Sequence, residues 1–113
     1  MKENVLDRLD KILKERKSED SKNSYVKQLF DKGSIEIIKK IREECEELIE
    51  AAEEVNFDKK NKLIHEAADL CFHIMVLLSS EGITSKEVLA ELEERFGISG
   101  IEEKNQRNNL SGE

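Results

Sequence analysis

Two short acidic patterns lie about twenty residues apart: Glu43-Glu44-Cys45-Glu46-Glu47 and then Glu66-Ala67-Ala68-Asp69. Each sets carboxylates three or four residues apart, a spacing that stacks side chains on one face of a helix. The first pattern alone matches an ordinary solvated, Glu-rich surface. The second lies inside the most apolar stretch of the chain, Leu63 to Leu78, and no Lys or Arg occurs between Leu63 and Ser80. Carboxylates drawn into an apolar environment are costly unless a positive charge compensates them. Two antiparallel helices joined by a short turn would bring the two patterns face to face. Four carboxylates across a helix pair form a hard-oxygen cage suited to Mg2+ or Mn2+. Such ions serve phosphoryl chemistry by neutralising phosphate charge and activating water.

The helices that must position these acids are legible in the apolar periodicity. Val5, Leu6, Leu9, Ile12 and Leu13 predict an amphipathic helix over about residues 3–17. A polar loop follows at 17–24, then a short helix through Tyr25, Leu29 and Phe30 that stops at Gly33. A long helix over about 34–55 places Ile37, Ile41, Cys45, Leu48, Ala52 and Val55 on one stripe. Glu43, Glu50 and Glu54 fall opposite, with Glu44 and Glu47 along the border. Asn56 to Asp58 breaks the pattern, Asp58 serving as N-cap to a third long segment over 59–80. That segment is apolar nearly all round from Leu63, as expected of a helix buried in a bundle or at a subunit contact. Glu66, Asp69 and His73 share one edge of it, and Leu70, Ile74 and Leu77 beside them read as core. His73 reads as a satisfied core or interface histidine near the acids. His65 is placed away from Asp69, as a structural or exposed residue. Gly82 ends the segment, and Thr84-Ser85-Lys86-Glu87 is a capping box opening a last helix through about Phe96.

The bulk properties agree with an all-α domain. The chain has 113 residues, no Pro, 40% charged residues and 37% hydrophobic residues, and residues 1–107 read as one domain followed by a disordered tail at 108–113. A net charge of −7 argues against nucleic-acid binding through a basic surface. Cys45 and Cys71 form no CxxC pattern and read as small apolar packing residues. The start of the chain shows no secretory h-region, and its longest apolar run falls short of a membrane span. These features predict a reduced, cytoplasmic, soluble protein with no membrane partner. Nothing resembles a phosphate-binding glycine loop, a nucleophile elbow or a Ser/His/Asp triad.

The order EExxE, gap, ExxD, filled by Glu43, Glu44, Glu47, Glu66 and Asp69, resembles the all-α nucleoside triphosphate pyrophosphohydrolases of the MazG-like superfamily. Within it the chain is most similar to the phosphoribosyl-ATP pyrophosphatase family of histidine biosynthesis. The similarity runs from VLDRLDKILKER at Val5 to Arg16, through SYVKQLFDKG at Ser24 to Gly33, to Gly100-Ile101-Glu102-Glu103-Lys104 and Arg107. It also takes in Glu66-Ala67-Ala68-Asp69-Leu70 and His73. The chain departs from the family at Arg42, where a small residue (usually Gly) precedes the double Glu. It departs again at Cys45, where Ala is common, and at Val26, where Thr is common.

The resemblance implies a helical bundle completed by homodimerisation or a higher homo-oligomer, in a standalone form without the cyclohydrolase that sometimes precedes it. It implies Mg2+-dependent hydrolysis of phosphoribosyl-ATP, a nucleotide substrate, to phosphoribosyl-AMP and pyrophosphate. Glu44, Glu47, Glu66 and Asp69 would be the Mg2+ ligands, with Mn2+ a possible substitute. Glu43 would hold a water or a second ion, and Lys39, Lys40, Lys104 and Arg107 are candidate phosphate contacts. Two other functions fit the residues: a house-cleaning NTP or dNTP pyrophosphatase of the same superfamily, and a non-catalytic helical interaction module.

Overall fold

A computed structural model describes residues 3–18 and 24–96. It contains five α-helices and, among the described residues, no strand: α1 (Val5–Ser18), α2 (Tyr25–Lys32), α3 (Ser34–Glu53), α4 (Lys59–Ser80) and α5 (Ser85–Phe96). The all-α expectation holds. Most of the expected 17–24 loop and everything beyond Phe96, including the expected tail, lie outside the described residues.

Local chemistry accounts for the boundaries. Asn4 Oδ1 accepts from Asp7 N at 2.8 Å and caps α1, a signal the periodicity did not reveal. Ser24, extended at φ −84° and ψ 123°, accepts from Lys27 N through its Oγ at 3.2 Å and caps α2. Gly33 joins α2 to α3 at φ 89° and ψ −178°, a conformation essentially confined to glycine. A Cβ at Gly33 would meet nothing within 4 Å, so backbone strain rather than crowding selects glycine there. At the end of α4, Ile83 N donates to Leu78 O at 2.8 Å and Gly82 N to Ser79 O at 3.0 Å, with Gly82 at φ 74°. That is the Schellman pattern.

Two expected caps behave differently. Asp58 occupies the N-cap position of α4 without a side-chain capping bond. Its Oδ1 instead accepts from Asn61 Nδ2 at 3.1 Å. At α5 the Glu87 arm of the capping box forms, Oε2 accepting from Thr84 N at 2.9 Å, and the Thr84 hydroxyl turns to the same carboxylate at 3.4 Å.

Helices α1–α4 form one compact unit ending at Ile83, and α5 belongs to a second that begins at Thr84. In the first unit the dominant packing is α3 against α4, the hairpin expected of two long helices joined by a short turn. Its core is Leu13, Leu29, Ile37, Met75 and Val76, flanked by Leu9, Val26, Phe30, Ile41, Phe72, Leu77 and Leu78. The α3 stripe is thus partly corrected. Ala51 is buried and Ala52 exposed, while Val55 lies beyond the helix end and is fully exposed. Ile74, expected in the core, is also exposed.

Leu13 is fully buried and is the one buried residue α1 contributes to this core. Leu13→Ala removes those methyl groups and leaves a cavity, so it is expected to cost about 2–5 kcal/mol in chemical denaturation. A loss well below 1 kcal/mol would show that α1 is not integral to the unit.

Candidate metal centre

The hairpin sets the register of the acids. Glu44 and Glu47 stand one turn apart on α3, and Glu66 and Asp69 one turn apart on α4. Because the helices run in opposite directions, a step of three residues back along α3 matches a step of three forward along α4. Glu47 therefore meets Glu66 at one level, and Glu44 lies beside Asp69 at the next. The fully buried Ile37 and Val76 continue the same register further from the turn. The apolar residues that zip the hairpin thus also align the carboxylates.

One carboxylate oxygen from each of Glu44, Glu47 and Glu66 lies within 4.8 Å of the other two. Glu44 Oε2 and Glu66 Oε2 are shielded from solvent, and neither has a hydrogen-bond partner among the described residues. An acceptor in that position has lost its water without gaining a donor, which is costly. Burial pushes the Glu44 carboxyl above the usual carboxylate range, with the charge of Glu47 adding to it and Asp69 contributing further. Burial, followed by Glu47, pushes Glu66 in the same direction. Two acids that disfavour their own ionised forms, Glu44 and Glu66, each with an orphaned oxygen and converging with the Glu47 carboxylate, make a donor set that a small hard cation fits.

Asp69 belongs to a second group. His65, Glu66 and Asp69 each present a donor atom, all within 4.8 Å of one another, and His65 Nε2 lies 3.2 Å from Asp69 Oδ2. This corrects the placement of His65 away from Asp69. Residues four apart on an α-helix are separated by only roughly 40° around the axis, so they share a face. His65 is exposed, as expected.

His73 is a satisfied histidine. Only 6% exposed, it places Nδ1 2.8 Å from the Asp69 carbonyl oxygen. An oxygen that can only accept assigns the proton to Nδ1. In the neutral tautomer Nε2 then accepts from the Tyr25 hydroxyl at 2.9 Å. Phe72 and Tyr25 pack edge-on against the ring. This bond ties the start of α2 to α4 beside the acids. Burial pushes the Tyr25 phenol above its usual range, and nearby Lys40 partly offsets it.

The remaining sequence candidates separate. Lys40 Nζ donates to Glu43 Oε2 at 3.2 Å, which raises the lysine pKa, so Glu43 is paired away from the three-carboxylate group. Lys39 is exposed on α3. Lys104 and Arg107 lie outside the described residues. Both cysteines are free, Cys45 half-buried and Cys71 exposed.

A family model described as phosphoribosyl-ATP pyrophosphohydrolase matches residues 6–96. The phosphoribosyl-ATP pyrophosphatase of Hydrogenovibrio crunogenus is 44% identical over 108 residues, covering 95% of this chain and 96% of its own length. That of Vesicomyosocius okutanii is 46% identical, covering 93% and 97%, and that of Methylococcus capsulatus 46%, covering 91% and 95%.

Proposed function

We propose how this site works from one premise: the chain belongs to the phosphoribosyl-ATP pyrophosphohydrolase family. It is a hydrolase of phosphoribosyl-ATP, and its reaction belongs to histidine biosynthesis. The products, phosphoribosyl-AMP and pyrophosphate, require that water cleave the α–β anhydride of the triphosphate. The observation that carries the mechanism is the convergence of Glu44, Glu47 and Glu66 within 4.8 Å with two orphaned oxygens.

In this reading Glu44, Glu47, Glu66 and Asp69 hold Mg2+, with Mn2+ as a substitute. When bound, the ion supplies charge neutralisation for the triphosphate and activation of the attacking water. The chain's residues do the rest. The α3–α4 hairpin fixes the four carboxylates on rigid helices, so little reorganisation accompanies binding. Glu43 orients the attacking water, and Lys40 contacts a phosphate. Both must first leave each other, and an exposed pair of that kind is worth only about 0–1 kcal/mol. Lys39 is a further candidate for phosphate contact, as are Lys104 and Arg107.

The same reading includes a second copy of the chain. On α4, Ile64, Ala67, Ala68, Cys71 and Ile74 recur at helical spacing and are all exposed. On α3, Ile35, Ile38, Ile49 and Ala52 form a comparable exposed row. By length and composition α4 could cross a membrane, contrary to the sequence expectation. Its mid-helix carboxylates facing α3 favour packing against protein instead. A homodimer that covers these rows, working in the cytoplasm, accounts for them.

Pyrophosphate release from phosphoribosyl-ATP, with Mg2+ and with chelator, beside a panel of ordinary NTPs and dNTPs, tests the reading. The expected result is Mg2+-dependent release from phosphoribosyl-ATP well above every other nucleotide. Comparable turnover of ordinary dNTPs would reassign the substrate, and full activity in chelator would remove the metal.

A further inference from the structure

We propose that His65 is a nitrogen ligand at the edge of the acidic cluster, giving this site a preference for Mn2+ or a similar borderline ion over Mg2+. The inference rests on the metal-binding reading above and goes beyond its all-carboxylate ligand set. Three observations carry it. The donor atoms of His65, Glu66 and Asp69 all lie within 4.8 Å of one another, with His65 Nε2 3.2 Å from Asp69 Oδ2. Glu66 belongs both to this group and to the Glu44–Glu47–Glu66 group. Its Oε2 is shielded and without a partner among the described residues, so one shared carboxylate links the histidine to the principal cluster.

The geometry needs little adjustment. Ligand bonds of about 2.0–2.2 Å set donor atoms roughly 3–4 Å apart around an ion, so three atoms already within 4.8 Å have only to draw in. His65 is free to do so. Its side chain is exposed and is held by the Asp69 contact rather than by packing. The chemistry then follows from the donor type. Mg2+ takes oxygen ligands in a strict octahedron, whereas imidazole nitrogen suits first-row transition ions. An added nitrogen donor stabilises Mn2+, Co2+ or Zn2+ more than Mg2+. The competing reading is an exposed His–Asp ion pair that touches no ion.

Pulsed electron paramagnetic resonance on the full chain loaded with Mn2+ alone distinguishes them, together with calorimetric titration of Mn2+ and of Mg2+ into the wild type and His65→Gln. The expected result is a 14N coupling to bound Mn2+ that His65→Gln abolishes. Mn2+ affinity should fall roughly tenfold and Mg2+ affinity by less than about twofold. Bound Mn2+ without a 14N coupling overturns the proposal while leaving the carboxylate site intact. A coupling that survives in His65→Gln overturns it by assigning the nitrogen elsewhere. Equal losses for both ions overturn it too, because they would mean that His65 only orients Asp69. Absence of any Mn2+ binding would remove the metal-binding reading itself.

Discussion

Glu66→Gln is expected to lower phosphoribosyl-ATP turnover by about a hundredfold or more while raising the melting temperature of the metal-free protein. The two effects have one cause. Glu66 sits where Glu47 and Asp69 crowd it, with one oxygen shielded and unpartnered. In the metal-free protein that is a destabilising arrangement, relieved by an amide of the same shape. With a cation bound it is the arrangement required, and the amide weakens it. The pH dependence gives the sign independently. Burial and neighbouring acids raise the Glu44 and Glu66 carboxyls above their ordinary value of 4.5, so the folded state retains protons that the unfolded chain has released. Their contribution is fully present below pH 4.5 and is lost as pH rises through the elevated folded values. Metal-free melts taken from pH 4.5 upward should therefore fall with pH, and less steeply in Glu66→Gln. A variant that melts lower than wild type without metal would show that Glu66 stabilises the hairpin and that the crowding argument is wrong.

The acidic pattern was readable because its spacing matches helix geometry and its setting is wrong for a surface. Glu66 and Asp69 stood out by lying in an apolar run without cations. The structure adds what spacing alone could not supply, namely which oxygens converge. Glu43 has the same residue type as Glu44, yet one step around the helix turns it to Lys40 at 3.2 Å instead of into the cluster. His65 was misplaced by a wheel reading, although its four-residue separation from Asp69 already implied contact. Tyr25 and His73 could be matched to a family pattern, but a bond spanning 48 residues leaves no local trace in sequence. The helix ends divide along the same line. Gly33 and Gly82 announce themselves through the backbone they permit, whereas Asp58 has an N-capping side chain that finds Asn61 instead. The apolar character of α4 was clear in sequence, but whether its own chain or another would cover it was not. Within this chain only His73, Met75 and Val76 of that helix are buried.

Ile64→Glu is accordingly expected to convert a dimer into a monomer. Ile64 is 59% exposed and lies on the α4 row with Ala67, Ala68, Cys71 and Ile74, so a charge there costs little in an isolated chain. In a two-fold dimer the substitution enters the contact twice. Taking each carboxylate out of water costs about several kcal/mol without a partner, enough to exceed the margin of a typical subunit contact. Light scattering should give the wild type twice the 13.0 kDa chain mass and the variant a single chain mass. Lys14→Gln, an equal change of net charge on an exposed position of α1, controls for net charge and should remain dimeric. The metal response separates assembly from the site. The Glu44, Glu47 and Glu66 oxygens converge within one chain, so the monomeric variant should still gain melting temperature with Mn2+ or Mg2+, from a lower starting point. A monomer that lost that response would mean the second copy completes the carboxylate cluster. A variant that stayed dimeric would move the interface off this face of α4, leaving its exposed row to be explained by something other than a second copy.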